Sequence, residues 1–301
     1  MAKIDSSQRA ASMDKVWIWA GPGNSLGPSI YGLSDTASYF GSENVCAMWL
    51  PSTTPPSATL ETLDGFRQVV WDLTCTRWQR KPYRLDDDEE TVRIGFFEEN
   101  SWGQDRGHES KEEAERISAL SNTYSNIAGG ILDYSFGGFT SRGGTPELLK
   151  QIQDALRKEN PELKLHWMNF TTDVDEKWVQ YLPYVDVISL WEPSPEKLAS
   201  LEESVERCGD VFQGKPIVVG VFLAHYWARN MKLGETDRLQ HHREWALRPM
   251  SHDILQAQLE TSARLLEEGK IAGVSILAEA LVDKFPDTAA WIRDILKANF
   301  T

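Results

Sequence analysis

Carboxylates recur in one setting along this chain: at the end of a short apolar run. Asp72 follows RQVVW, Asp133 follows AGGIL, Glu192 follows VISLW, and Glu279 lies just beyond IAGVSILA. An acid there is costly to bury unless it is paired or working, on the order of 2–7 kcal/mol for a polar group and more for a charge. The same run ends carry Trp19, Trp49, Tyr134, Asn169, Trp191, His225, Tyr226 and Trp227. Indole rings stack on the apolar faces of sugars with large area and little conformational cost. Carboxylates supply the proton transfers and charge stabilisation that cleavage of a glycosidic bond needs. The pattern points to Asp133 and Glu192 as an acid/base or nucleophile pair in a carbohydrate site, with the other residues binding substrate. The competing reading of Asp133 is a helix cap or loop anchor.

Other chemistries find less support. A phosphate site would want basic residues or a Gly-rich helix start, and LAHYWARN and ILAEALVD offer one arginine and no such turn. GPGNSLG after the first apolar run does not match the dinucleotide fingerprint, and no Walker lysine, G-x-S-x-G elbow or nucleophilic triad is present. Cys46, Cys75 and Cys208 are odd in number and far apart, which is neither a disulfide framework nor a zinc pattern. His225, His241, His242 and His252 cluster without an established ligand spacing, and His166 alternates with apolar neighbours inside a run. No cofactor is called for. His225 with Asp133, Glu192 or Glu279 leaves open a divalent-metal sugar isomerase, epimerase or lyase. A barrel that binds carbohydrate without turning it over is the third alternative.

The elements that must position these residues alternate strand with helix. Apolar or β-rich runs predict strands at 16–20, 45–50, 66–73, from 127, and at 163–170, 185–191, 215–226 and 271–278. Between them lie helices capped by Ser34, Ser110 (with Glu113 at capping-box spacing), Thr145-Pro146 and Ser251, the last closed by Gly269. Shorter helices fall near 59–64, 175–181, 195–208 and 288–298. Eight strands alternating with helices over 301 residues predict one closed (β/α)8 barrel domain, with residues 1–14 as a lead-in. The strand-end residues then share the C-terminal face, where such barrels build their sites.

Two stretches interrupt the rhythm, 74–109 after the third strand and 227–250 after the seventh. Each sets Trp beside Arg: Trp78 with Arg77 and Arg80, Trp102 with Arg106, Trp227 with Arg229, Trp245 with Arg243. They are expected to fold over the mouth and contact substrate, Trp102 and Trp227 foremost; a homo-oligomer interface is the alternative. The net charge of −14 disfavours nucleic acid and anionic membrane as partners. No signal-peptide apolar region opens the chain and no apolar run nears a membrane span. A cytoplasmic protein acting on a small carbohydrate is the expectation.

With GGILDYS on the fourth strand, SLWEP on the sixth and aromatic strand ends, the chain resembles the (β/α)8 glycoside hydrolases in general. The resemblance implies hydrolysis by Asp133 and Glu192. The carboxyl separation sets the outcome, about 5–5.5 Å for retention and roughly 6.5–9.5 Å for inversion. The chain departs from two familiar signatures. No Asn-Glu pair closes the fourth strand, and Leu132 and Ser135 stand where a chitinase-type acid series would continue.

Overall fold

The computed structural model describes residues 13–20, 31–48, 56–74, 77–84, 94–101, 106–224, 249–278 and 281–300. Eight parallel strands close a barrel: β1 (Val16–Ala20), β2 (Asn44–Ala47), β3 (Gln68–Asp72), β6 (Ile127–Leu132), β7 (Lys164–Phe170), β8 (Val187–Trp191), β9 (Ile217–Phe222) and β10 (Gly273–Leu277). Closure runs through β1, where Trp17 pairs with Asn44 of β2 on one side and Ser275 of β10 on the other. The (β/α)8 barrel expected from the alternation is the fold observed.

Period-2 alternation divides the apolar residues between two cores. Val16, Ile18, Val45, Val69, Trp71, Leu132, Leu165 and Trp167 face the helices in the outer core. Trp17, Trp19, Cys46, Met48, Val70, Ile131, Met168, Trp191 and Leu277 fill the barrel lumen as a separate cluster. Both faces of the strands are therefore mainly apolar, as parallel strands covered by helices require. The paired glycines of β6 serve close packing. A Cβ on Gly129 would fall 2.1 Å from the Lys164 carbonyl oxygen, and one on Gly130 2.4 Å from Leu73 Cδ1.

Around the barrel lie α1 (Leu33–Phe40), α2 (Pro56–Thr62), α3 (Arg106–Leu120), α4 (Phe136–Thr140), α5 (Pro146–Leu156), α6 (Leu201–Val211), α7 (His252–Glu267), α8 (Leu281–Lys284) and α9 (Pro286–Phe300). Thr145 caps α5 through its hydroxyl, which accepts from Leu148 N at 3.2 Å, with Pro146 opening the helix. Gly269 takes the left-handed conformation (φ 71°) after α7. Both follow the sequence expectation.

Several boundaries differ, each for a local reason. The cap of α1 is Gly32, not Ser34, and Asp35 Oδ2 accepts from Gly32 N at 3.3 Å. α3 starts at Arg106, so Ser110 and Glu113 sit inside the helix and not at its cap. Both are buried, and Glu113 accepts from Trp71 Nε1 at 2.7 Å while also pairing with Arg116. A spacing read as a capping box is thus spent on a polar tie to β3. Residues 176–184 and 195–200 are 3₁₀, not α-helical.

Within the interrupting stretch after β3, β4 (Arg77–Arg84) and β5 (Ile94–Ser101) pair as an antiparallel hairpin separate from the barrel sheet. The second stretch lies largely outside the described residues. Among the described residues no helix is long and apolar enough to cross a membrane.

Candidate active site at the barrel mouth

The C-terminal half of the lumen is sealed by aromatic rings. Trp19 and Trp191 meet edge-on with centroids 4.9 Å apart, and Phe222 leans on Trp191 at 4.8 Å. Gly220 makes the space for that indole, since a Cβ there would sit 1.9 Å from Trp191 Cδ2. Trp191 Nε1 donates to Ser189 Oγ at 2.9 Å, which orients the ring. Both indoles are only 2% exposed. Phe170 and Phe222 pack on the same lumen cluster and are only partly buried. Neither Phe stood out in the sequence, yet alternation from Met168 and Gly220 assigns both to the lumen side.

Two carboxylates share that side at adjacent strand ends. Asp72 closes β3 in the lumen register of Val70, and Asp133 is the first residue beyond β6, two on from the lumen residue Ile131. Thr74 links them: its N–H donates to Asp72 Oδ1 at 2.7 Å, and its Oγ1 accepts from the Asp133 N–H at 2.8 Å. Asp72 is buried, whereas Asp133 is partly open. The following helix α4 is capped by Ser135, whose hydroxyl accepts from Gly138 N at 3.3 Å, so its cap is a residue other than Asp133. Thr74 and Ser135 had no motif to announce them.

Glu192 has a different setting. It is the first residue beyond β8, next to the lumen residue Trp191. It is 2% exposed, and both oxygens are engaged: Oε2 accepts from Thr171 Oγ1 at 2.5 Å and Oε1 from Ser194 N at 2.8 Å. The arrangement ties the loop after β7 to the loop after β8. Asn169, paired with Leu190 in the outer register, is wholly buried, and its amide finds no partner among the described residues. Tyr134 lies in the outer core. Its ring stacks on Phe139 at 5.7 Å, its hydroxyl is 3.4 Å from Ser110 Oγ, and its carbonyl accepts from Trp167 Nε1 at 2.7 Å.

The structure thus sets Trp19, Trp191 and Asp72 on the lumen face, Tyr134 and Asn169 on the outer face, and Asp133 and Glu192 each one residue beyond a strand end. Trp49, Trp102, His225, Tyr226, Trp227 and Glu279 lie outside the described residues. Among the described residues no three His, Cys, Asp or Glu side chains converge as metal ligands would. Cys46, enclosed in the lumen, has its thiol pushed up to about 12 by burial, which leaves it protonated and unreactive at neutral pH.

No family model matches the sequence, and no curated protein matches it. Solved structures do match in fold, among them the three glycoside hydrolases that follow. A β-galactosidase from the psychrophilic Marinomonas ef1 superposes with TM-score 0.60 at 11% identity, over 94% of this chain and 59% of that one. A GH2 β-galacturonidase from Eisenbergiella tayi, bound to galacturonate, gives 0.54 at 12% identity over 95% and 51%. A GH128 endo-β-1,3-glucanase from Amycolatopsis mediterranei, in complex with laminarihexaose, gives 0.50 at 10% over 93% and 99%. The chain therefore spans about half the length of the galacturonidase and nearly the whole of the glucanase. At such identities the likeness is one of fold: a barrel of the kind glycoside hydrolases use.

Proposed function

We propose that the chain is a carbohydrate-active barrel that cleaves a glycosidic bond at its C-terminal mouth, with Asp133 as a reacting carboxylate. The observation that carries this reading is the pair of strand-end acids, Asp72 and Asp133, joined through Thr74 on the face that also carries the aromatic cluster. A sugar ring resting on Phe170 and Phe222 brings its glycosidic oxygen toward acids at the rim. Asp133, the more open of the two, gives its proton to the departing glycosidic oxygen as a water adds at the anomeric carbon and returns a proton to Asp133, and buried Asp72 holds Thr74 and with it the Asp133 backbone. Glu192, with both oxygens engaged, fits a role in positioning the two loops better than one in proton transfer.

The fold likeness suggests the probes: β-1,3-glucan oligosaccharides, β-galactosides and β-galacturonides. Incubation with this panel, followed by assay for new reducing ends and saturable change in Trp fluorescence, tests the proposal. Turnover on at least one probe, abolished in Asp133→Asn with binding retained, is the expected result. Full turnover in that variant overturns the assignment. Saturable binding with no product favours the second reading, a carbohydrate-binding barrel without turnover, which the full engagement of Glu192 makes worth testing.

A further inference from the structure

The opposite end of the barrel carries a second concavity, of about 420 Å³, within the size range of small-molecule sites. Its walls come from the starts of the strands: Gln68 of β3, His166 of β7, Val187 of β8 and Trp17 of β1, with Asn160 and Lys164 at the lip. Trp17, His166 and Val218 also wall a small lumen chamber of about 10 Å³, on the other side of which stand Trp19 and Ser275. That is room for about one water. His166 and Trp17 therefore divide the open concavity from the closed chamber.

Buried polar atoms gather at this partition. Trp17 is 9% exposed, and its Nε1 donor has no partner among the described residues. Trp19 Nε1 is likewise unpaired, and Ser275 Oγ has only the weak Cys46 thiol beside it. An unpaired buried donor costs about 1–3 kcal/mol, and these atoms, closed off from solvent, carry that cost within the partition itself. Gly273 fixes where the indole sits, because a Cβ there would fall 2.4 Å from Trp17 Cζ3. Enclosure holds the His166 pKa near 4 against the raising influence of Asp186, so the imidazole is neutral at pH 7 and offers one donor and one acceptor.

The chemistry of the lining selects the ligand. Two side-chain amides and a neutral imidazole each donate and accept, as hydroxyl groups do, and the Trp17 ring adds an apolar face. The charges at the lip, Lys164 and Glu162, are one of each sign, so neither an anion nor a cation has a dedicated partner there. We infer that the N-terminal face of the barrel is a second binding site, for a neutral polyhydroxylated molecule of monosaccharide size, which inserts between Gln68, Asn160, His166 and Trp17. The site is independent of the mouth and of whatever reaction occurs there.

Saturation-transfer NMR and calorimetry with D-glucose, D-xylose and myo-inositol on the full chain test this. Expected is saturable binding that survives Asp133→Asn, a mouth variant. Gln68→Leu should weaken it about fivefold, as loss of one neutral hydrogen bond does, and Trp17→Phe should weaken it through the smaller ring face. Gln68 is half-buried at a strand start, so its variant reports even where Trp17→Phe perturbs the core; unchanged melting of each variant qualifies the comparison. Absence of binding, binding lost in Asp133→Asn but intact in Gln68→Leu, or preference for charged D-glucuronate or glucosamine would each overturn the inference.

Discussion

Asp133 is held by its backbone, its N–H donating to Thr74 Oγ1 at 2.8 Å from the neighbouring strand end. The hydroxyl of Thr74 belongs to the same residue whose N–H binds Asp72, so the two acids are set by one residue between them. Thr74 is itself fully buried. Thr74→Val keeps the shape and deletes the acceptor, leaving the Asp133 N–H unsatisfied at a cost of about 1–3 kcal/mol. On the proposed function, turnover falls through kcat more than KM, and Thr74→Ser restores most of it. Equal melting temperatures and kinetics for the wild type and Thr74→Val would contradict this.

The Trp191 indole occupies space that only a glycine at 220 leaves open. Gly220→Ala must move either the β9 backbone or the indole, and overpacking of this kind costs about 1–3 kcal/mol or more. The edge-on contact with Trp19 is broken as the ring shifts. Lower thermal stability together with an altered near-UV circular dichroism spectrum is the expected outcome; an unchanged spectrum counts against the packing described.

Glu192 distinguishes charge from shape. Glu192→Gln still offers one oxygen to Ser194 N, and its amide can donate to Thr171 Oγ1, so stability should fall by about 1 kcal/mol or less. Glu192→Leu leaves both partners unsatisfied in a buried place and should lose several times more. Denaturant midpoints of the two variants measure the difference. Complete loss of turnover in a stably folded Glu192→Gln would instead return this residue to the chemistry.

His166 gives stability a pH dependence with a definite sign. Its folded pKa is lowered to about 4 by burial, from an ordinary 6.5, so below pH 6.5 the unfolded chain takes up a proton that the folded chain refuses. Its contribution is fully present above about pH 6.5, is lost as pH falls toward 4, and levels off below. The ceiling for this shift is about 3 kcal/mol. His166→Gln should flatten the pH profile of unfolding free energy across that window; an unaltered slope argues against the enclosure of the ring.

The barrel was legible because its signals are local and redundant. Thr145-Pro146 and Gly269 sit where the chemistry of helix ends demands. What the sequence could not disclose was which face of a strand end each acid takes. Asp133 and Tyr134 are adjacent, as are Trp191 and Glu192, and one residue of offset carries a side chain from the lumen to the helix layer. Composition marks both members of each pair as site candidates; only the register separates them. Ser110 and Glu113 misled for a related reason, since a spacing that caps a helix equally sets two side chains on one face of it.

The β4–β5 hairpin sits inside the connection between two strands that are neighbours in the barrel, β3 and β6. Without it, Asp72 and Ile131 would meet only after a long flexible loop had closed, and such closure grows costlier with length. A hairpin forms from contacts close in sequence, on a timescale of roughly 1–10 μs. Once formed it draws Arg77 and Ser101 side by side, so the chain still to be searched is shorter. The insertion thus lowers the effective contact order of the seam on which Asp72 and Asp133 lie, and that seam can knit early in folding.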